Sequence, residues 1–311
     1  MMPTTPIARS LARAAARLDS LDFSLRERTA RARVAARPEL VQIDIGDAVV
    51  RCRIEGAGPT LVFCVDPPVV VEQYDRLVHA LSNDFRVIVF EPPGFGFSVA
   101  RPGFDPSFEG MTHATARLLR ALGHAPYTLV FPCVSAFTAL DVAHRYPGLV
   151  ERLVLTQAPS WDEELKWKAR RDPKGLLGTP VVGQMAMRLL ARRRAPAWFD
   201  AAVGDRARTP ELKATTDRAL RHGAQFGLAT AFQSYLVPGV VAPPPATRPT
   251  MVVWGEADRS HAKTDRSSSR ALAEHLTVVT APEVGHFPEL ERPEWFAGLL
   301  RSFMGQSRSA A

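Results

Sequence analysis

The sequence is poor in cysteine and lysine, and it contains no long apolar run. Three cysteines (Cys52, Cys64 and Cys133) among 311 residues are too few and too scattered for a disulfide framework or a zinc site. No apolar run approaches the ~18 residues of a membrane-spanning helix, so we expect no transmembrane segment. The low hydrophobicity of disordered chains is also absent, because 46% of the residues are apolar and 23% are charged. This composition is typical of a folded globular protein.

Arginine carries almost all of the positive charge. Thirty-nine basic and 32 acidic residues give a net charge of +7, and five of the basic residues are lysines. This skew, together with the many alanines and prolines, indicates the codon usage of a GC-rich genome. A nucleic-acid binder would concentrate basic side chains on one face with aromatic side chains between them. No such stripe occurs outside the N-terminal arm, so we expect no nucleic-acid partner.

Residues 1–40 form an arginine-rich arm, with eight arginines against four acidic residues. Apolar residues recur in it at roughly helical spacing: Ile7, Leu11, Leu18, Leu21 and Leu25. The pattern predicts an amphipathic helix. The apolar core of a signal peptide is absent, and Asp19, Asp22 and Glu27 argue against a transit peptide, so we expect a cytoplasmic protein. The helix either packs on the body of the protein or docks on a partner or a membrane surface.

From residue 41 onward, strand and helix patterns alternate. The predicted strands are Val41–Ile45, Ala48–Ile54, Thr60–Val65, Arg86–Phe90, Tyr127–Phe131, Leu153–Thr156, Thr250–Trp254 and Thr277–Thr280. The predicted helices are Val71–Leu81, Phe108–Leu122, Ala136–Arg145, one that ends with Arg270–His275, and Pro293–Phe303. Strands separated by helices of this length predict an α/β fold with a doubly wound, mostly parallel sheet.

The alternation is interrupted between residues 158 and 249. This stretch has helical and loop character, and it ends in a stiff hinge of three prolines, Pro243-Pro244-Pro245. It predicts a helical cap inserted into the sheet. The predicted organisation is therefore a helical arm (1–40), an α/β core (41–157 and 250–305) and a cap (158–249).

Four segments at the ends of predicted strands carry candidate catalytic residues. In chain order they are Glu91-Pro-Pro-Gly-Phe-Gly-Phe-Ser98, Phe131-Pro-Cys-Val-Ser135, Trp254-Gly-Glu-Ala-Asp258 and Gly285-His286-Phe-Pro-Glu289. A thiol on a strand-to-helix turn lies at a helix N-terminus, where the helix dipole and a neighbouring imidazole favour the thiolate. A histidine can take the thiol proton, and an aspartate can fix the tautomer of that histidine.

In order and spacing, these segments resemble those of the α/β-hydrolase family from about residue 41 to 305. The first is similar to the family's D-x-P-G-x-G-x-S turn, and the second to its G-x-S-x-G nucleophile turn, with Cys133 in place of serine. The resemblance implies that Cys133 is the nucleophile, Asp258 the acid and His286 the base. It also implies that the backbone N–H of Val134 donates to a developing oxyanion.

Simpler roles remain open for several of these residues. Free cysteine is commonly buried, so Cys133 could be a core residue. Asp258 could cap the helical segment that follows it, with Glu256 or Asp162 serving as the acid. His261 is expected to lie in a loop.

Two departures from the family pattern concern the geometry of the site. The family keeps a small residue two positions before the nucleophile, and Phe131 at that position predicts an opened or shifted turn. After the third strand the family has His-Gly-x, where x supplies the second oxyanion N–H, and the register here is Val65-Asp66-Pro67-Pro68. Pro67 has no N–H to give, and an ionised Asp66 would repel an oxyanion. Loss of one donor costs about 2.7–4 kcal/mol of transition-state stabilisation, so efficient ester hydrolysis would need another donor here.

The aromatic residues predict an apolar substrate site between the cap and the sheet. The residues expected to line it are Phe131, Trp161, Phe226, Phe232 and Phe287. The alternative for each is packing in the protein's own core. The arginine runs Arg170-Arg171 and Arg192-Arg193-Arg194 fit an acidic substrate, a carrier protein or a solvated surface. Glu163-Glu164 and Lys166 to Lys168 are expected to pair on a helix surface.

Together these residues predict a hydrolase or acyltransferase whose Cys133–His286–Asp258 triad acts on an ester or thioester. The substrate would be an apolar small molecule or a carrier-bound acyl group. The alternatives are an acyltransferase or cyclase, a lyase or isomerase with His286 as base, and a catalytically impaired homologue that binds a ligand. We expect no metal and no nucleotide cofactor, because Gly94 and Gly96 lack the Gly-x-Gly-x-x-Gly spacing. A protruding apolar arm is consistent with a homodimer.

Overall fold

A sheet with helices on both sides forms the centre of the protein. The structure is a computed structural model that describes residues 6–305, so the first five residues of the predicted arm lie outside it. The strands are β1 (Leu40–Asp44), β2 (Ala48–Glu55), β3 (Thr60–Cys64), β4 (Arg86–Phe90), β5 (Phe95–Gly96), β6 (Val99–Ala100), β7 (Tyr127–Pro132), β8 (Val150–Thr156), β9 (Gln225–Phe226), β10 (Thr250–Gly255) and β11 (Leu276–Ala281).

The strand order in the main sheet is β1-β2-β4-β3-β7-β8-β10-β11, with β6 beside β2. β1, β2 and β4 pair antiparallel, whereas all neighbours from β4 to β11 pair parallel. Alternate side chains enter two core clusters, as Val62 and Cys64 join one and Leu61 and Phe63 join the other. Parallel strands covered on both faces read as continuous apolar runs. The predicted α/β class with a mostly parallel sheet is confirmed.

The helices flank this sheet. They are α1 (Pro6–Ala16), α2 (Phe23–Ala35), α3 (Asp75–Leu81), α4 (Phe108–Leu122), α5 (Ser135–Arg145), α6 (Trp161–Arg171), α7 (Val182–Ala202), α8 (Thr209–Arg221), α9 (Leu228–Ser234), α10 (Pro288–Glu291) and α11 (Pro293–Gly305). The predicted helix ending at residues 270–275 is instead a 3₁₀ helix, Arg266–Leu272. None of the helices in the range 6–305 is long and apolar enough to cross a membrane.

The arm is two helices rather than the single amphipathic helix that the spacing predicts. A 3₁₀ turn at Arg17–Ser20 separates α1 from α2. Asp19, Ser20 and Asp22 lie at this break, and such side chains compete with the helical backbone for hydrogen bonds. The hydroxyl of Ser20, for example, donates to the carbonyl of Arg17 at 3.1 Å.

Residues 158–249, the predicted cap, lie between β8 and β10 and contain α6 to α9. The short strand β9 in this segment pairs antiparallel with β5. The ring of Phe226 lies edge-on to Phe95 with 6.3 Å between the ring centres. This pairing joins the middle of the cap to the turn that follows β4.

Candidate active site

Cys133 occupies the sharp turn between β7 and α5. Its φ of +47° is in the left-handed region, which is rare for a residue with a side chain and is common at functional turns. The backbone N–H of Cys133 donates to the carbonyl of Thr156 at 2.7 Å. Phe131, two residues before Cys133, is buried and packs on Phe90 with 5.6 Å between ring centres.

The backbone N–H of Val134 is free to bind a ligand. It donates to no other group within residues 6–305, and α5 begins at the next residue, Ser135. The hydroxyl of Ser135 donates back to the carbonyl of Pro132 at 2.6 Å and fixes the turn. The predicted oxyanion donor at Val134 thus has a suitable environment.

His286 follows β11 and contacts Asp258, which follows β10. The two side chains are fully buried, and Nδ1 of His286 lies 2.6 Å from Oδ2 of Asp258. The other oxygen, Oδ1, accepts a hydrogen bond from the N–H of Ser260 at 2.7 Å. Asp258 therefore caps the following 3₁₀ turn and also holds the histidine. Glu256 and Asp162 are exposed and do not replace it.

Gln157 supports Asp258 and was not foreseen in the sequence. Its Nε2 donates to Oδ2 of Asp258 at 2.7 Å, and its Oε1 accepts from the N–H of Gly255 at 2.7 Å. Gln157 directly follows β8 and has a φ of +51°. Its position at the carboxyl end of a central parallel strand is the signal that could have identified it.

Asp66 contacts the second nitrogen of His286. Its Oδ2 lies 2.8 Å from Nε2, so a carboxylate lies on each side of the imidazole. Burial disfavours the charged ring, but Asp258 and Asp66 outweigh it, and the pKa of His286 rises well above its ordinary value. Burial would also raise the pKa of Asp258, yet the charge and hydrogen bond of His286 hold it well below its usual range. The two carboxylates therefore favour the charged form of the ring.

Two buried residues that the sequence analysis assigned elsewhere lie against the thiol of Cys133. Oε1 of Glu164 is 3.8 Å from Sγ, and Nε2 of His261 is 3.9 Å from it. Glu164 is buried rather than paired on the helix surface, and His261 lies in the 3₁₀ helix Arg259–His261 rather than in a loop. The two residues are 0% and 1% exposed. Burial raises the pKa of Glu164 to about 8, and burial followed by the charge of His286 lowers the pKa of His261 to about 3.

Burial, and then the negative charges of Glu164 and Asp66, raise the pKa of Cys133 well above its ordinary value, and His286 opposes this only in part. These groups favour the neutral thiol, against the helix N-terminus, which favours the thiolate. A proton must leave the thiol before it can attack a substrate.

The segment after β3 offers no oxyanion donor at Pro67, as predicted. The peptide bond between Pro67 and Pro68 is cis, and both rings lie in the cavity wall with Asp66. A proline has no N–H to direct at an oxyanion.

Cys133 and Asp66 open into a cavity of about 670 Å³ between the core, the cap and the arm. Its wall is mostly apolar, and Phe131, Phe226 and Phe232 line it as predicted. Trp161 and Phe287 do not line it, which corrects their assignment. Trp161 packs edge-on against Phe108 and Phe137 in the core, and Phe287 packs on Phe199 and on His286 itself.

Cys133, His261 and His286 could in principle ligate a metal ion. Their ligating atoms lie within 4.8 Å of one another. The 3.9 Å separation of Sγ and Nε2 of His261 is wider than the roughly 3.5 Å that tetrahedral zinc bonds of ~2.0–2.3 Å would set. Nε2 of His286 contacts Asp66 at 2.8 Å instead.

Comparisons with known proteins agree with this architecture. A family model described as alpha/beta hydrolase fold matches residues 68–293. The 2-(acetamidomethylene)succinate hydrolase of Mesorhizobium japonicum is 26% identical over 272 residues, which cover 85% of this chain and 94% of that protein. A fluoroacetate dehalogenase of a Burkholderia species is 29% identical over 93 residues, and that match spans only 28% of this chain and 30% of the dehalogenase. The structure of the epoxide hydrolase CorEH superposes with a TM-score of 0.70 at 17% identity, covering 86% of this chain and 98% of that one.

Proposed function

The chain belongs to the α/β hydrolase fold family, and from that premise we propose that it is an acyl hydrolase or acyltransferase with Cys133 as nucleophile. The observation that carries the proposal is the position of Cys133. Its Sγ lines the cavity from a left-handed strand-to-helix turn and lies within 4.8 Å of a ligating nitrogen of His286. His286 is in turn held by Asp258 at 2.6 Å. These are the relations among nucleophile, base and orienting acid that covalent acyl transfer needs.

Activation of the thiol would begin at Asp66. In this scheme Nε2 of His286 donates a hydrogen bond to the Asp66 carboxylate, whose Oδ2 lies 2.8 Å away. A substrate that enters the cavity displaces the Asp66 carboxylate from Nε2, the pKa of the ring falls, and the Nε2 proton passes to water. The neutral imidazole then accepts the proton of Cys133, and Asp258 stabilises the new imidazolium.

The free N–H of Val134 would donate to the oxyanion in this scheme, whereas Pro67 has no N–H to give.

The acyl group is then transferred in two steps, first to Sγ of Cys133 and then to the acceptor. Sγ attacks the carbonyl carbon, a carbon–sulfur bond forms, and the leaving group departs with the proton from His286. Water or another acceptor attacks the Cys133 thioester and gives its proton to His286. The thiol departs and recovers that proton. A thiolate suits thioesters and activated acyl groups, and the apolar wall of the cavity suits an aliphatic or aromatic acyl group.

The test is intact-protein mass after brief exposure to a panel of acyl thioesters. We expect an acyl-sized mass increase on the wild type and none on Cys133→Ala. Cys64→Ala is the matched control, because Cys64 is a second buried thiol in the same cavity wall, and it should keep the adduct. An adduct that persists in Cys133→Ala, or that disappears only in Cys64→Ala, would refute the assignment.

A second candidate rests on the short contact between His286 and Asp66. The pair could abstract a substrate proton without covalent chemistry, as a lyase or isomerase does. In that case activity would survive Cys133→Ala and would be lost in His286→Ala. The same two variants therefore separate the two functions.

A further inference from the structure

One side of the protein exposes an apolar stripe that no other part of the described chain covers. On α7, Val182, Met185 and Leu189 follow the spacing of one helix face, and Leu189 is 77% exposed. At 100° per residue, these three side chains together with Arg192 and Arg193 fall within an arc of about 100°. A surface helix normally buries such an apolar face.

The arm extends this face. Arg188 donates to the carbonyl of Leu18 at 2.6 Å, which fixes α7 beside the 3₁₀ turn of the arm. Leu21 and Leu25 follow that turn in the sequence and are 66% and 63% exposed. Of the twelve large apolar side chains exposed in the described chain, nine belong to the arm or to residues 176–190: Leu11, Leu21, Leu25, Leu176, Val181, Val182, Met185, Leu189 and Leu190.

Some arginines on this side are unpaired. The side chains of Arg17, Arg192, Arg193 and Arg194 make no ion pair or hydrogen bond within the part of the chain whose side chains the structure describes, residues 10–305, whereas Arg188 pairs with Asp22. Unpaired guanidinium groups beside aliphatic side chains are the pattern of a helix that lies in a membrane interface, with its arginines at the lipid phosphates.

Arg17 of the arm and Leu190 and Arg194 of α7 lie in the wall of the cavity. The exposed stripe and the cavity therefore share two adjoining elements.

We propose that this face, made of the arm and α7, binds the surface of an anionic phospholipid bilayer. A second copy of the chain fits it less well, because a two-fold axis through the stripe would bring the free arginines of both copies together. An acidic carrier protein would match the arginines but would leave the aliphatic side chains of the stripe, Val182, Met185 and Leu189, in water. A bilayer satisfies both, since acyl chains take the aliphatic groups and phosphates take the guanidinium groups. The proposal is independent of the nucleophile.

The experiment is flotation of the full chain with two kinds of vesicle, one of phosphatidylcholine and one of equal parts phosphatidylcholine and phosphatidylglycerol. We expect the wild type to float with the anionic vesicles and to lose this binding at high salt. The double variant Met185→Ser with Leu189→Ser should reduce the bound fraction about tenfold or more, because each aliphatic group contributes to insertion. The double variant Arg192→Gln with Arg193→Gln should reduce binding to anionic vesicles about fivefold per arginine.

The matched control variants carry the same kinds of substitution outside this face. Val241→Ser with Val278→Ser removes two exposed aliphatic groups outside this face, and Arg76→Gln with Arg301→Gln removes two arginines from the core helices. Both should bind like the wild type, and circular dichroism should show all variants folded. The proposal fails if the wild type floats with neither vesicle, or if the Met185 and Leu189 variant still binds. It also fails if that variant instead converts a wild-type dimer to a monomer in sedimentation equilibrium.

Discussion

Replacing Asp66 with asparagine should lower the pKa of His286 sharply. Asp66 Oδ2 and His286 Nε2 are 2.8 Å apart, and two unit charges at that distance attract by about 6 kcal/mol at an effective dielectric constant of about 20. The amide of Asp66→Asn keeps a hydrogen bond but removes the charge. We therefore expect a fall of about 1–3 pKa units, the usual effect of one nearby opposite charge. One unit corresponds to about 1.4 kcal/mol.

The assay is an NMR titration of carbon-labelled histidine, with the His286 resonance assigned from His286→Asn. His261→Asn serves as the matched control variant, and the His286 signal should remain in it. The loss of the Asp66 charge should also change how the free energy of unfolding depends on pH. A histidine whose pKa is raised on folding stabilises the protein below its unfolded pKa of about 6.5, and this stabilisation disappears as the pH rises through the folded pKa. The Asp66→Asn variant should therefore have a lower free energy of unfolding than the wild type at pH values below the folded pKa of His286. An unchanged His286 titration in Asp66→Asn would refute the idea that the second carboxylate keeps the ring charged.

Three further predictions concern the surroundings of the site. In the wild type, the folded protein retains a proton on Glu164 that the unfolded chain has lost, so the free energy of unfolding falls as the pH rises from about 5.5 to 7.5. Glu164→Gln should make this fall shallower by about 1.4 kcal/mol per pH unit. Equal pH dependence of the urea-unfolding free energy in the variant and the wild type would contradict this. Gln157→Ala should lower kcat at least tenfold with little change in KM, because Oδ2 of Asp258 loses the hydrogen bond from Nε2 of Gln157. An unchanged kcat would contradict this prediction. Gly255→Ala should lower Tm strongly, because its Cβ would lie 1.8 Å from the carbonyl oxygen of Gly285. Gly298→Ala, where nothing lies within 4 Å of the new Cβ, should leave Tm equal or higher, and equal losses in both variants would count against the packing argument.

The fold could be predicted, and candidates for the three main site residues could be named, because their signals are local. A buried strand, a turn and the residue after it occur within a few positions of one another, as at Cys133, Asp258 and His286. Their order along the chain then resembles a known family. The carboxyl ends of parallel strands meet at one edge of a sheet, so strand prediction alone brings such residues together.

The residues that sequence analysis missed are those whose role depends on distant packing. Glu164 lies in a run of acidic residues followed by basic residues, a pattern that is typical of a surface helix. It becomes buried because α6 places it against Cys133, 31 positions away in the sequence. His261 carries no periodic signal, and its ring is stacked between Trp167 and His286 at 5.3 and 5.2 Å. Asp66 was recognised as a hazard to an oxyanion, but its contact with Nε2 of His286 depends on a residue 220 positions away.

The pairing of β5 with β9 limits how substrate can reach the cavity. The backbone N–H of Gly227 donates to the carbonyl of Gly94 at 3.2 Å, beside the two residue pairs of the ladder. The cap is thus fastened at its middle as well as at its two ends, and it cannot swing open as one rigid lid without breaking this ladder. The arm fastens the cap from another side, because Oγ1 of Thr230 donates to Asp19 at 2.6 Å and Arg26 donates to the carbonyl of Gly223 at 3.2 Å. Substrate should therefore reach the cavity by local movements of side chains and loops rather than by rotation of the whole cap.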